Sequence, residues 1–242
     1  MPHIHWVSPT ENDIVRVAAR GKRHARLDDA LTAARPGDGL ALLCGDPATP
    51  VPSLDPSQLA IAKAKSLRLY WEMPAGPKPP SDHPTLHRAV VPQGSPVARL
   101  PALSLLGVPA RKVVPVPTGR PWLVTARVAG YDKADFGLPA DAKPLLVETE
   151  ISGVASLIAS MSLSDVIRAR FGPTESWQSV WTSIVSWLAG ESVSRLHWIP
   201  NAHPTFDPSE RLPGGAARTA LDRGIAWVRN SGMLLGPDHE TV

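Results

Sequence analysis

The stretch that decides the fold reads Arg35-Pro36-Gly37-Asp38-Gly39-Leu40-Ala41-Leu42-Leu43-Cys44-Gly45-Asp46-Pro47. Leu40 to Cys44 is an unbroken apolar run between two turn clusters. Without polar alternation, such a run suits a strand buried on both faces, as in a parallel sheet covered by helices. The turn before it stops a helix expected over residues 24–34, where Leu27, Ala30, Leu31 and Ala34 recur at helical spacing. His3 to Val7 reads as a first strand. The unit then repeats. Asp55-Pro56 supplies an N-cap and a proline at the first helical position, opening a helix to about Lys65. Leu67 to Glu72 forms the next strand, closed by Pro74. Two helix–strand units with short connections predict an α/β fold with a doubly wound, mostly parallel sheet flanked by helices.

The second half is patterned differently. Val113–Val116, Trp122–Ala129 and Leu145–Glu150 are strand-like. Val154–Met161 follows the last across Ile151-Ser152-Gly153, a turn too short for a parallel crossover, so those two strands should form a late antiparallel hairpin. Ser162-Leu163-Ser164-Asp165 has the form of a capping box, its helix ends near Gly172-Pro173, and Thr174 caps another. Trp177, Val180, Trp181, Ile184 and Leu188 form an apolar stripe on that second helix, expected to be core. Residues 197–213 carry four prolines and read as a linker. Ala217, Leu221, Ile225 and Val228 make a last amphipathic helix, expected over residues 214–230, whose apolar face needs a partner surface. The expected division is an α/β domain over 1–196 and a linker with a C-terminal helical tail over 197–242.

Composition narrows the function classes. Hydrophobic residues at 43% and charged residues at 19% allow a sizeable core and argue against disorder. Twenty-five cations face 22 anions, and the one basic cluster, Arg20-Gly21-Lys22-Arg23-His24, reads as a solvated helix entrance. It is shorter than the aromatic-interleaved basic stripe of a nucleic-acid surface, so no nucleic-acid partner is expected. Cys44 is the single cysteine, which rules out an intramolecular disulfide. No apolar run approaches the roughly 20 residues that span a bilayer, and the first residues lack signal-peptide features. A cytoplasmic location without membrane attachment is expected.

Three carboxylates sit on strands near their C-terminal ends: Glu72, Glu148 and Glu150. Ligands of open α/β sheets bind at that edge. Two carboxylates are the minimum for glycoside hydrolysis, one as acid and one as nucleophile or base. Alternation puts Glu148 and Glu150 on one face of their strand; the plainer reading is polar hairpin residues near solvent. Trp71 and Trp122 would stack on sugar rings if exposed, although tryptophan is usually buried in large part. His3 and His5 share a strand face. His83 and His87 would suit a metal only on a helix, which the surrounding prolines oppose. No metal set and no cofactor are expected. Pro213-Gly214-Gly215 is a helix entrance, not a phosphate loop.

The order strand, helix, apolar strand at Leu40–Cys44, helix, strand at Leu67–Glu72 resembles the class I glutamine amidotransferase-like domains, which have a flavodoxin-like sheet. Pro144-Leu145-Leu146-Val147-Glu148-Thr149-Glu150-Ile151-Ser152-Gly153, followed by Leu163-Ser164, Phe171-Gly172-Pro173 and Trp177 with Trp181, resembles the late hairpin, Leu-Ser helix, aromatic-Gly-Pro break and tryptophan helix of that superfamily's non-catalytic members. Such domains accompany carbohydrate-processing proteins, among them β-galactosidases with trimerisation-type domains and proteins with six-hairpin glycosidase domains. Ala220-Leu221-Asp222-Arg223-Gly224-Ile225-Ala226-Trp227, with Ser231-Gly232-Met233-Leu234, is similar to the opening helix of a six-hairpin domain. Catalytic amidotransferases carry a Gly-x-Cys-x-Gly elbow and a His-x-Glu pair. Cys44 instead ends an early strand with no glycine at elbow spacing, and His239-Glu240 lies in the tail. A buried structural cysteine is therefore expected. The resemblance implies a non-catalytic binding or assembly module linked to carbohydrate processing, with a carbohydrate ligand and a homo-oligomer or partner protein as its partners. The residues leave two alternatives: a glycosidase-like hydrolase using the strand-end carboxylates, or a purely structural interaction domain.

Overall fold

A computed structural model describes residues 3–9, 12–44, 53–74, 88–108, 113–126, 138, 142–164, 174–198 and 218–225. The chain divides into two compact units, Met1–Asn201 and Ala202–Val242. The first unit opens with β1 (Ile4–Val7), α1 (Asp13–Ala18), β2 (Lys22–His24), α2 (Leu27–Ala33), β3 (Gly39–Leu42), α3 (Pro56–Ala64) and β4 (Arg68–Glu72). There follow β5 (Arg88–Val90), β6 (Leu105–Gly107), β7 (Arg120–Ala126), β8 (Pro144–Ile151), β9 (Val154–Ala159) and α4 (Thr174–Ala189).

Among the described residues these nine strands form one sheet in the order β2-β1-β3-β4-β9-β8-β7-β5-β6. Strands β2, β1, β3, β4 and β9 are parallel. From β9 outward every pairing is antiparallel. The sheet is therefore mixed, not mostly parallel. A parallel pairing needs a long crossover, usually helical; the connection between β8 and β9 is a two-residue turn. There Ser152 and Gly153 both take positive φ, 51° and 82°, as a tight hairpin turn of matching twist requires.

Each sheet face is covered by helices. One core joins Ile14 and Ala18 of α1 to Trp177, Trp181, Ile184 and Leu188 of α4. The other joins Leu27, Ala30 and Leu31 of α2 to Ala62 of α3. Asp55 caps α3 as expected, through the Gln58 N–H, and Gln58 also reaches back to the Asp55 N–H, which makes the cap reciprocal. The tryptophan stripe of α4 is core, with Trp177 and Trp181 fully buried. The Trp177 indole N–H donates to Gly107 O at 2.8 Å and that of Trp181 to Leu163 O at 3.0 Å. Gly39 lets α4 approach β3, since a Cβ there would stand 2.8 Å from Leu188 O. A second stripe of α4, four residues apart, docks the chain that follows it. Ser186 accepts from Val193 N–H, Thr182 from Leu196 N–H, and Gln178 donates to Trp198 O.

Several expectations are corrected. The basic cluster is no helix entrance: Lys22, Arg23 and His24 form edge strand β2, reached through Gly21 at φ +95°. The helix expected from residue 24 accordingly begins at Leu27. Residues 113–116 form no strand, although Val114 N–H donates to Ser160 O at 2.7 Å. The capping box at Ser162 is described only to Ser164. Of the last amphipathic helix, residues 218–225 are helical and exposed in the second unit; Ala217 and Val228 lie outside the described residues.

Candidate functional site at the strand ends

Because β3, β4 and β9 are parallel, their C-terminal ends share one edge of the sheet, the edge at which open α/β sheets take ligands. Glu72 is the last residue of β4, is 0% exposed, and gathers that edge around its carboxylate. Oε1 accepts from the Tyr70 hydroxyl at 2.9 Å, Leu163 N–H at 3.0 Å and Ser164 N–H at 2.7 Å. Oε2 accepts from Cys44 N–H at 2.8 Å and the Ser164 hydroxyl at 2.9 Å. Burial pushes the carboxyl up to about 7, against the pull of those donors toward the charged form. Burial, with the Glu72 charge beside it, likewise pushes the Tyr70 hydroxyl well up. The arrangement can hold or release one proton. The three backbone N–H groups always donate, whereas the two hydroxyls can turn to accept from a protonated carboxyl.

The opposite face of the same edge carries Cys44, Met73 and Trp71. Cys44 is buried, with its sulfur 4.0 Å from that of Met73. Reactive cysteines sit in electropositive, partly exposed surroundings; Cys44 is instead packed in the apolar core with Leu40, Leu42 and Trp71, and it is its backbone N–H that reaches the Glu72 carboxylate. Trp71 is 7% exposed, so its ring is not presented for stacking on a sugar. Its Nε1 and the Ser160 Oγ are buried without a hydrogen-bond partner among the described residues.

Glu148 belongs to a second constellation. It lies mid-strand on β8, opposite Leu157 of β9, whereas Glu72 is opposite Ala159 on the other flank of that strand. Trp122, 3% exposed, donates its indole N–H to Glu148 Oε2 at 3.2 Å, and Trp187 donates to Oε1 at 2.9 Å. Arg120 Nη1 stands 3.7 Å away. The Glu148 side chain keeps 32% of its surface accessible. Glu150 is exposed on the same strand. The structure thus brings Glu148 and Trp122 together and holds Glu72 apart from both. Sequence reasoning missed Trp187 and Arg120; the tryptophan stripe of α4 was the available signal for the first.

Away from the sheet edge, a cavity of about 330 Å³ lies between the end of α1, α4 and the segment after it, with Val17 and Val185 on its walls and Arg20, Arg195 and His197 among its lining. Among the described residues no group of three histidine, cysteine or acidic side chains is placed to hold a metal ion, and no helix is long and apolar enough to cross a membrane. His83 and His87 lie outside the described residues. No family model, curated protein or solved structure matches this chain.

Proposed function

We propose that the chain is a non-catalytic, amidotransferase-like module that works by binding or assembly beside a carbohydrate-processing system. The observation that carries the reading is Glu72: the carboxylate at the ligand-binding edge is wholly buried, and five donors of the fold itself occupy it. The order β2-β1-β3-β4-β9, with α1 and α4 on one face and α2 and α3 on the other, supports a flavodoxin-like framework. Buried Cys44 supports the non-catalytic reading. The 330 Å³ cavity falls within the size range of small-ligand sites. The carbohydrate setting comes from the resemblance alone.

The test is incubation of the full chain with glutamine and with aryl glycosides, beside calorimetric titration with oligosaccharides and light scattering. Neither substrate should turn over, and a bound sugar or a concentration-dependent mass should appear. Ammonia release that vanishes in Cys44→Ser would overturn the reading. The hydrolase alternative is favoured by one observation: Glu148 stays accessible, as Glu72 does not. Glycoside cleavage abolished by Glu148→Gln would establish it.

A further inference from the structure

At the edge of the sheet, three buried side chains from three different elements form a hydrogen-bonded chain. His5 of β1 places Nδ1 3.0 Å from Nε2 of His24 on β2, and its own Nε2 3.2 Å from Oδ2 of Asp38, just before β3. All three residues are buried. Asp38 is fixed in turn by the N–H groups of His3 at 2.8 Å and Arg35 at 2.8 Å. Burial pushes the Asp38 carboxyl up, but these two N–H groups and His5 outweigh it and hold it below the usual range.

An ionised carboxylate only accepts, so the His5 nitrogen facing it carries a proton. With both imidazoles neutral, His5 Nδ1 is then an acceptor and His24 Nε2–H donates to it. One added proton is accommodated. A doubly protonated His5 donates at both ends, to Asp38 and to His24, and both hydrogen bonds survive. A second proton is not. It gives two imidazolium rings, each with an N–H on the shared line, so the bond is lost and two cations face each other at its former 3.0 Å.

We propose that this His5–His24–Asp38 chain is an acid-sensitive latch that holds edge strand β2 on the sheet and releases it when both histidines are protonated. The location favours release. β2 is three residues long, pairs among the described residues only with β1, and carries Lys22 and Arg23 beside His24. The charged groups that face His24 are Lys22 on its own strand, which opposes a further positive charge, and Asp29 on α2, which favours it. Asp38 stands at the far end, beyond His5. Burial first, then His5 and Lys22, lower the His24 proton affinity, so the doubly protonated state is reached only in acid. What release uncovers is the β1 edge, an unpaired row of backbone donors and acceptors able to accept another strand.

Amide hydrogen exchange on the full chain at pH 7.5 and pH 5, corrected for intrinsic rates, tests the latch. Protection of Lys22, Arg23 and His24 should fall at least tenfold at pH 5, while β3 and β4 change by less than threefold. His24→Gln, which cannot become a cation, should lose that difference. Imidazole ¹⁵N shifts at pH 7.5 provide a check that needs no variant: His5 should carry its proton on Nε2. Equal loss of protection in β2 and β3, an unchanged pH response in His24→Gln, or a proton on His5 Nδ1 instead would each overturn the proposal.

Discussion

Replacing Glu72 with glutamine keeps the shape of the strand-end hub and removes its charge. The amide oxygen in the Oε1 position can still accept from Tyr70, Leu163 and Ser164. The NH2 group then faces Cys44 N–H, formerly 2.8 Å from Oε2, and two donors oppose each other. Ser164 can turn its hydroxyl to accept; the Cys44 backbone cannot. One buried N–H left without an acceptor costs about 1–3 kcal/mol, so Glu72→Gln should fold with that loss at pH 4.5. The pH dependence is the sharper test. Glu72 has its folded pKa raised from the ordinary 4.5 to about 7, so its contribution is full below 4.5 and is lost as pH rises through about 7. That interval corresponds to about 3 kcal/mol. Glutamine does not titrate. The stability gap between parent and variant should therefore shrink by about 3 kcal/mol between pH 4.5 and pH 8, closing or reversing. His24, with its pKa lowered, acts in the opposite sense: its contribution is present above the ordinary 6.5 and is lost as pH falls. It is common to both proteins and cancels in the difference. Urea unfolding at four pH values provides the measurement. A gap that stays constant within about 0.5 kcal/mol, the usual scatter of independent additive terms, would refute the hub as described.

Trp181→Ala removes a fully buried indole, its bond to Leu163 O and its edge contact with Tyr70 at 5.5 Å; the loss should be about 3–5 kcal/mol by chemical unfolding, and a melting temperature within a degree or two of the parent would contradict it. Thr182→Val keeps the volume but deprives Leu196 N–H of its acceptor. The expected cost is about 1–2 kcal/mol, with faster amide exchange at residues 193–197, and unchanged exchange there would show that the polar stripe of α4 does not hold that segment.

What could be read in the sequence follows from how local each signal is. Leu40 to Cys44 announces itself because burial on both faces removes every polar alternation. The Asp55-Pro56 cap is legible because its partner, Gln58, is three residues away. The hairpin around Ser152-Gly153 is legible because a two-residue turn allows one topology only. By contrast, α1 is six residues with β-branched Ile14, Val15 and Val17, and its one local signal was Asn12, whose side chain caps Ile14 N–H. Strands β5 and β6 are three residues each, too short to show a period. At the candidate site, the position of Glu72 at a strand end was visible, but three of its five donors, on Leu163 and Ser164, lie 91 and 92 residues away. His5 was visible as a histidine sharing a strand face with His3; its partners His24 and Asp38 come from elements that only the strand order brings beside it.

The position of β9 has a consequence for how the chain reaches this structure. β9 begins at residue 154, yet it lies in the middle of the sheet, bonded to β4 on one side and β8 on the other. During synthesis, β1 to β4 emerge early and can pair among themselves, leaving β4 as an apolar edge with nothing beside it. More than 80 residues must follow before its permanent neighbour exists. Contacts between segments so far apart in sequence form slowly, and an unpaired edge is an invitation to the wrong strand in the meantime. The last central strand to be made is thus the keystone of the sheet. A chain truncated before residue 154 should collect as aggregate rather than survive as a smaller version of the same fold.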